Sequence, residues 1–301
     1  MREHTPDCAP LSPIVPKKLE EADTIQFRCH PDISCFNECC RRADITLTPY
    51  DVVRLKDRLG MSSTDFLAEY TVPFEMDSDG LPGVKLRTRD EEPVCLFMDD
   101  ATGCTIYGDR PSACRYYPLG LMAMRPKGEP QDEAMFFLVK EDHCLGHRED
   151  RELTIADYRR EQGLEHFDAV NRDWYRIMLK KSSAGPVVGQ AITEISLQLF
   201  FMVSYDVDRF RRFVQSDNFQ RVYDLDEETY RSVLRDDEAL LRFGFKLLRQ
   251  AFFAEDFIPL KEDKVREREE ERRKVWEMRR MAEKEKIDQE AAGLGPAEYL
   301  G

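Results

Sequence analysis

The placement of cysteine constrains this chain more than any other feature. Nine cysteines occur in 301 residues; eight lie between Cys29 and Cys144, and none follows. Thiols clustered this way in a reducing compartment point to bound metal or redox chemistry rather than a disulfide framework. They form two runs. The first is Cys29-x5-Cys35-x3-Cys39-Cys40; the second is Cys95-x8-Cys104-x9-Cys114, with Cys144 beyond it. Cys8 stands apart among prolines and is read as an incidental thiol.

Thiolates are good ligands for soft and borderline metals, and a shell of four suits Zn²⁺ or an iron–sulfur cluster. Eight donors exceed one tetrahedral site. They fit two four-thiolate sites, one multi-metal cluster, or one site accompanied by reactive thiols. If residues 34–41 are helical, Cys35 and Cys39 share a face while Cys40 points about 100° away. Cys39 and Cys40 then serve different ions or different corners of one centre, or only one of them is a ligand. Four thiolates on one Zn²⁺ leave a formal charge of −2, which nearby cations would offset; Arg28, Arg41, Arg42, Arg110 and Arg115 all neighbour ligand candidates. His30, His143 and His147 are secondary candidates beside Cys29 and Cys144.

The fold class expected is α+β. Residues 1–20, with four prolines, read as a flexible lead-in; 21–150 as a loop-rich cysteine-cluster domain of short helices and hairpins; 151–260 as a helical domain; 261–301 as a charged helical tail. Thr48-Pro49-Tyr50-Asp51 starts a helix that stops at Gly60, and Ser62 with Asp65 starts another. Asp77-Ser78-Asp79-Gly80 predicts a turn between strands Thr71–Met76 and Val84–Thr88. A second hairpin is expected from Tyr117–Met124 and Ala134–Val139. Between Cys104 and Cys114 the pattern predicts a short strand, then a helix start near Asp109-Arg110-Pro111 that returns Cys114 toward Cys104; Pro118 ends that helix. Beyond Leu153 the periodicity is helical, with Thr154 and Asp157 capping a short helix and further helices over 164–181, 189–204, 207–215, 227–234 and 237–253. Residues 261–290 carry eleven basic and eleven acidic residues, the pattern of a solvated helix with i,i+4 pairs.

Hydrophobic residues at 42% and charged residues at 35% suit a globular protein. A net charge of −14 argues against nucleic-acid binding. No apolar run approaches the ~20 residues of a membrane span, and no leader is visible, so a cytoplasmic protein is expected. A protein partner, if there is one, would be reached through the helical C-terminal region. No P-loop, dinucleotide fingerprint, HExxH or GxSxG occurs.

Phe27-x-Cys29, Cys35-x3-Cys39-Cys40 and Ile45-Thr46-Leu47-Thr48-x-x-Asp51-Val52-x-Arg54-Leu55 together resemble the YkgJ-type cysteine-cluster family, summarised as CxxCxxCC. The resemblance continues through Phe66-Leu67-x-x-Tyr70, Pro93-Val94-Cys95-Leu96-Phe97 and Cys104-x-Ile106-Tyr107-x-x-Arg110-Pro111-x-x-Cys114-Arg115-x-Tyr117-Pro118. It implies a zinc- or iron-chelating domain with Cys29, Cys35, Cys39, Cys40, Cys95, Cys104 and Cys114 as ligands; Cys144 joins them by location. Some relatives are associated with flagellin lysine N-methylation. The expectation is therefore a metal-binding protein holding zinc or iron, an iron–sulfur cluster included; the alternative is an iron–sulfur oxidoreductase or a protein-modifying enzyme related to lysine N-methylases.

Overall fold

The computed structural model describes residues 14–77, 80–90, 92–124, 133–184 and 193–291. Cys8, the tips of both expected hairpins and the start of the helix expected over 189–204 lie outside them.

Strands β1 (Ile14–Leu19) and β2 (Thr24–Gln26) lead to a 3-10 turn at Glu38–Cys40. Helices α1 (Pro49–Leu59) and α2 (Ser63–Tyr70) follow, then the hairpin of β3 (Thr71–Glu75) and β4 (Pro82–Leu86). Four short strands come next: β5 (Thr88–Arg89), β6 (Glu92–Cys95), β7 (Met98–Asp99) and β8 (Gly103–Cys104). A 3-10 turn at Tyr107–Asp109 precedes α3 (Ser112–Tyr116), and β9 (Leu119–Met124) pairs with β10 (Glu133–Val139). After a 3-10 turn at Leu145–Arg148 come β11 (Glu152–Thr154), α4 (Ile155–Glu161) and α5 (Leu164–Ala184). The remainder is helical: α6 (Glu194–Ser204), α7 (Val207–Gln215), α8 (Asp217–Val222), α9 (Glu227–Arg235), α10 (Asp237–Phe253) and α11 (Glu262–Ala291). The fold is α+β, as the sequence implies.

Helix starts follow their local chemistry. The Thr48 hydroxyl accepts from the Asp51 amide, the Asp51 carboxylate accepts from the Thr48 amide, and Pro49 occupies the first turn, where its missing N–H is harmless. Gly60 closes α1 at φ 66, a conformation glycine adopts without steric penalty. Three features depart from the sequence reading. Part of the expected lead-in is strand β1, which pairs antiparallel with β10. Residues 34–41 form turns and a single 3-10 turn instead of an α-helix, because Asn37 sits at φ 68 and breaks any continuous helix. Helix α8, capped by Ser216, is an element the periodicity did not reveal.

The hydrophobic interior does not divide at residue 150. The larger cluster joins Leu47, Val52, Leu55 and Phe66 of the first half to Trp174, Phe200, Phe210 and Leu248 of the second. A smaller cluster gathers Ile25, Phe27, Tyr116, Phe136, Leu153 and Tyr158. Helix α10 approaches α6 and α7 closely at Gly244, where a Cβ would stand 2.6 Å from Val203 and 2.8 Å from Phe210. Among the described residues, no helix is long and apolar enough to cross a membrane.

A charge cluster reinforces the junction of the two halves. The carboxylate of Asp237 at the start of α10 receives the buried Lys56 ammonium of α1 at 2.7 Å and the Arg211 guanidinium of α7. Burial alone would raise the Asp237 pKa, but the bonds from Lys56 and Arg211 outweigh it and hold the carboxyl below its ordinary range. A carboxyl depressed by folding stabilises above its unfolded value, and that contribution is lost as pH falls through the folded value. Asp237→Asn is expected to cost about 2–4 kcal/mol near neutral pH, because the buried Lys56 loses its more buried partner and keeps only the more exposed Asp57 carboxylate, at 2.8 Å. Thermal melts from pH 7 to pH 2 check this: the variant should lose less of its melting temperature below about pH 4 than the parent does.

Candidate metal centre

The structure brings all eight cysteines of residues 29–144 toward one region, from opposite ends of the domain. Cys29 and Cys144 meet through an extended ladder. Strand β2 pairs with β11 (Ile25 opposite Leu153), and the pairing runs on as the Phe27 amide donates to the Arg151 carbonyl (2.9 Å) and the Arg28 amide to the Gly146 carbonyl (3.1 Å). The Leu145 amide, next to Cys144, donates to the Cys35 sulfur at 3.2 Å. Cys29, Cys35 and Cys144 thus form one group.

Cys40, Cys95, Cys104 and Cys114 form the other. Cys95 lies opposite Thr88 in the β5–β6 pair, and Cys104 opposite Met98 in the β7–β8 pair. The loop after Cys40 is tied to β6 by the Ala43 amide donating to Pro93 (2.9 Å). Helix α3 delivers Cys114, and its first residue is held by the Asp51 carboxylate, which accepts from both the Ser112 amide and the Ser112 hydroxyl at 2.8 Å. The cis Tyr117–Pro118 peptide follows. Cys95, Cys40 and Cys104 pack in or against the larger hydrophobic cluster, and Cys144 against the smaller.

Cys39 joins the groups. Its turn packs on β8, where Gly103 leaves room for the Phe36 ring (3.2 Å from a would-be Cβ). The thiols of Cys39 and Cys40 lie close enough to shift each other's ionisation, so they do not face apart as a continuous helix would have them. The interaction with Cys40 is the main cause that lowers Cys39 to about 7, and the same interaction raises Cys40. Burial pushes Cys29 up to about 11, with the neighbouring Cys39, Cys35 and Cys144 adding to it and Arg110 opposing. Burial is also the chief cause that raises Cys95, Cys104, Cys114 and Cys144, and every one of these four is raised further by Cys39. Cys39 therefore lies within electrostatic reach of Cys29, Cys40, Cys95, Cys104, Cys114 and Cys144.

The flanking arginines separate into two kinds. Arg28, Arg41 and Arg42 are exposed, and Arg41 pairs with Asp100. Arg110 and Arg115 are buried. Arg110 stacks 3.9 Å from the Tyr107 ring, donates to the Tyr107 carbonyl and to Gln162, and favours the ionised forms of Cys29 and Cys104. Asp109 pairs with Arg54 and Arg58 rather than with Arg110. The histidines are engaged elsewhere on at least one side: His30 with Glu149, His143 near Glu141, and His147 with the Val139 carbonyl.

The donors suit zinc or iron in kind and number. They are soft, they are free thiols, and eight of them match two shells of four. Among the described residues, no three Cys, His, Asp or Glu side chains are gathered closely enough to hold one ion as they stand. The buried Tyr117 hydroxyl, which lies against Cys144 and Glu141, has no partner in ordinary hydrogen-bond geometry; neither have His143 Nε2 and His147 Nδ1.

A cysteine-cluster domain is the class of structure these features define. Residues 28–145 match the family model CxxCxxCC, described as "Putative zinc- or iron-chelating domain". No curated protein and no solved structure matches the chain.

Sequence reasoning missed Asp51 as the anchor of α3, Gln162 as the partner of Arg110 and Arg115, and Tyr117 beside Cys144. None of these carries a local signature, since each acts across a tertiary contact. Gly146 was missed as well. A Cβ there would stand 2.8 Å from the Arg28 carbonyl and 2.7 Å from the Phe27 ring. Gly146→Ala is expected to push the Cys144 turn off the Cys29 strand and cost about 1–3 kcal/mol. Chemical denaturation measures the loss, and faster alkylation of Cys29 and Cys144 than of Cys95 would locate it.

Proposed function

We propose that residues 28–145 bind zinc or iron through two adjoining sets of cysteine thiolates. One set is Cys29, Cys35, Cys39 and Cys144; the other is Cys40, Cys95, Cys104 and Cys114. The observation that supports this best is the convergence of distant segments: the ladder that sets Cys29 beside the Cys144 turn, the Leu145 amide on the Cys35 sulfur at 3.2 Å, and the Ala43–Pro93 bond that ties the Cys39–Cys40 turn to the Cys95 strand. Desolvated thiols crowded together resist ionisation, and a divalent cation reverses that preference by displacing their protons. The adjacent Cys39 and Cys40 then serve different ions, or different corners of one polynuclear centre. Metal binding contributes directly to the stability of a domain whose cysteines sit largely on short strands and turns.

A cytoplasmic location suits a chain that keeps this many cysteines reduced for ligation. The test is elemental analysis of protein purified without oxygen and dialysed. Retention of about two zinc or iron ions per chain is expected, four thiolates to each. Metal-free protein with all nine thiols titratable would overturn the reading, and visible charge-transfer absorption would assign iron–sulfur instead of zinc.

A further inference from the structure

Asn171 lies on α5, outside residues 28–145, and is 1% exposed. Its side-chain carbonyl accepts from the Tyr50 amide (3.2 Å), which leaves its NH₂ to donate to the Thr48 hydroxyl oxygen (3.0 Å). Thr48 caps α1 through Asp51: its hydroxyl accepts from the Asp51 amide, and its own amide donates to Asp51 Oδ2 at 2.8 Å. The other oxygen, Asp51 Oδ1, holds both donors of Ser112, the first residue of the helix that carries Cys114. Asn171, Thr48, Asp51 and Ser112 therefore form one buried chain of hydrogen bonds from the C-terminal helices to the Cys114 turn.

A second tie runs in parallel. The Arg115 guanidinium donates to the Gln162 carbonyl at 2.7 Å and lies 4.3 Å above the Phe167 ring. Cys29, Cys35 and Cys144 are fixed differently, by the β2–β11 ladder and the Leu145 amide, with Tyr158 of α4 bonded to the carbonyl of Tyr117, the residue beside Cys144. Partners of this kind orient metal ligands, and removing one usually weakens a site by about 10–100-fold.

We propose that Asn171 is a positioning residue for the Cys114 half of the thiol cluster, acting through Thr48, Asp51 and Ser112, so that helix α5, outside the family domain, sets the strength of that thiolate set more than of the other. The inference rests on the metal reading above.

The test uses the full chain loaded with zinc, treated with iodoacetamide, and read cysteine by cysteine through peptide mass spectrometry. Asn171→Leu and Thr48→Val are expected to speed alkylation of Cys114, Cys95 and Cys104 about tenfold. Cys29, Cys35 and Cys144 should stay close to the parent rate. Thr48→Ser keeps the hydroxyl and should restore protection, which separates positioning from loss of fold. Unchanged rates at Cys114 in both variants would overturn the inference, as would an equal rise at every cysteine, the mark of general loosening. If zinc fails to slow alkylation of any cysteine in the parent chain, the metal reading falls and the inference falls with it. Protection in the parent that the variants leave intact removes the inference alone.

Discussion

Cys39→Ser is expected to strip metal from its own thiolate set and to weaken the set of its neighbour Cys40, where Cys114→Ser weakens chiefly its own. The difference follows from position. Cys114 is influenced by Cys95, Cys39 and Cys104, whereas Cys39 lies within reach of thiols of both groups and adjoins Cys40 in the chain. A serine hydroxyl is a harder and far less acidic donor than a thiol, so the site loses a ligand without losing volume. Weakening a site about 1,000-fold removes about 4 kcal/mol of binding-linked stability, which for a chain of this size lowers the melting temperature by roughly 10 °C. Metal content and thermal melts, measured on both variants with and without added zinc, check the ordering. Cys8→Ser, outside both runs, should leave both measurements as they are. Equal metal content in Cys39→Ser and the parent would show that Cys39 is no ligand.

The second large effect is expected at Asp51. Its carboxylate is fully buried and accepts from the Thr48 amide, the Ser112 amide and the Ser112 hydroxyl. Burial raises its pKa, and the bonds from Thr48 and Ser112 oppose that rise. Asp51→Ala leaves three buried donors without an acceptor and opens space between α1 and α3. Each unsatisfied donor costs about 1–3 kcal/mol, so a total on the order of 3–5 kcal/mol is expected after partial relaxation. Asp51→Asn keeps an oxygen for Ser112 but turns an NH₂ toward the Thr48 amide, so an intermediate loss is expected. Chemical denaturation ranks the three proteins. A loss below about 1 kcal/mol for Asp51→Ala would mean that α3 is held mainly by Arg115 and apolar packing.

How much of this could be read from the sequence depended on the range of the interaction. Helix α1 was visible because Thr48, Pro49, Asp51 and Gly60 supply its start and stop within the helix itself. Helix α10 was visible through the helical spacing of its leucines and phenylalanines. Strands β1, β2 and β11 were not, because each is three to six residues long and pairs with a segment far along the chain. The turn around Cys35–Cys39 misled the helical reading, since nothing in Asn37 by itself announces a left-handed backbone.

The candidate site divides along the same line. The cysteines and the helix-return logic from Cys104 to Cys114 were legible from spacing and proline placement. The meeting of Cys29 with Cys144 was expected only from their shared chemistry, and the ladder through Phe27, Arg28 and Gly146 supplies the mechanism. Asn171 gave no signal. A buried asparagine at a helical position looks like any polar residue until the amide of Tyr50 and the hydroxyl of Thr48 are placed against it.

X-ray absorption at the metal edge of anaerobically prepared protein tests the central claim most directly, because it reads the atoms around the ion. A first shell of about four sulfurs, at roughly 2.3 Å if the metal is zinc, is the predicted result. A shell made mainly of nitrogen and oxygen would contradict it, since the thiols of Cys29 through Cys144 would then have converged for some other purpose.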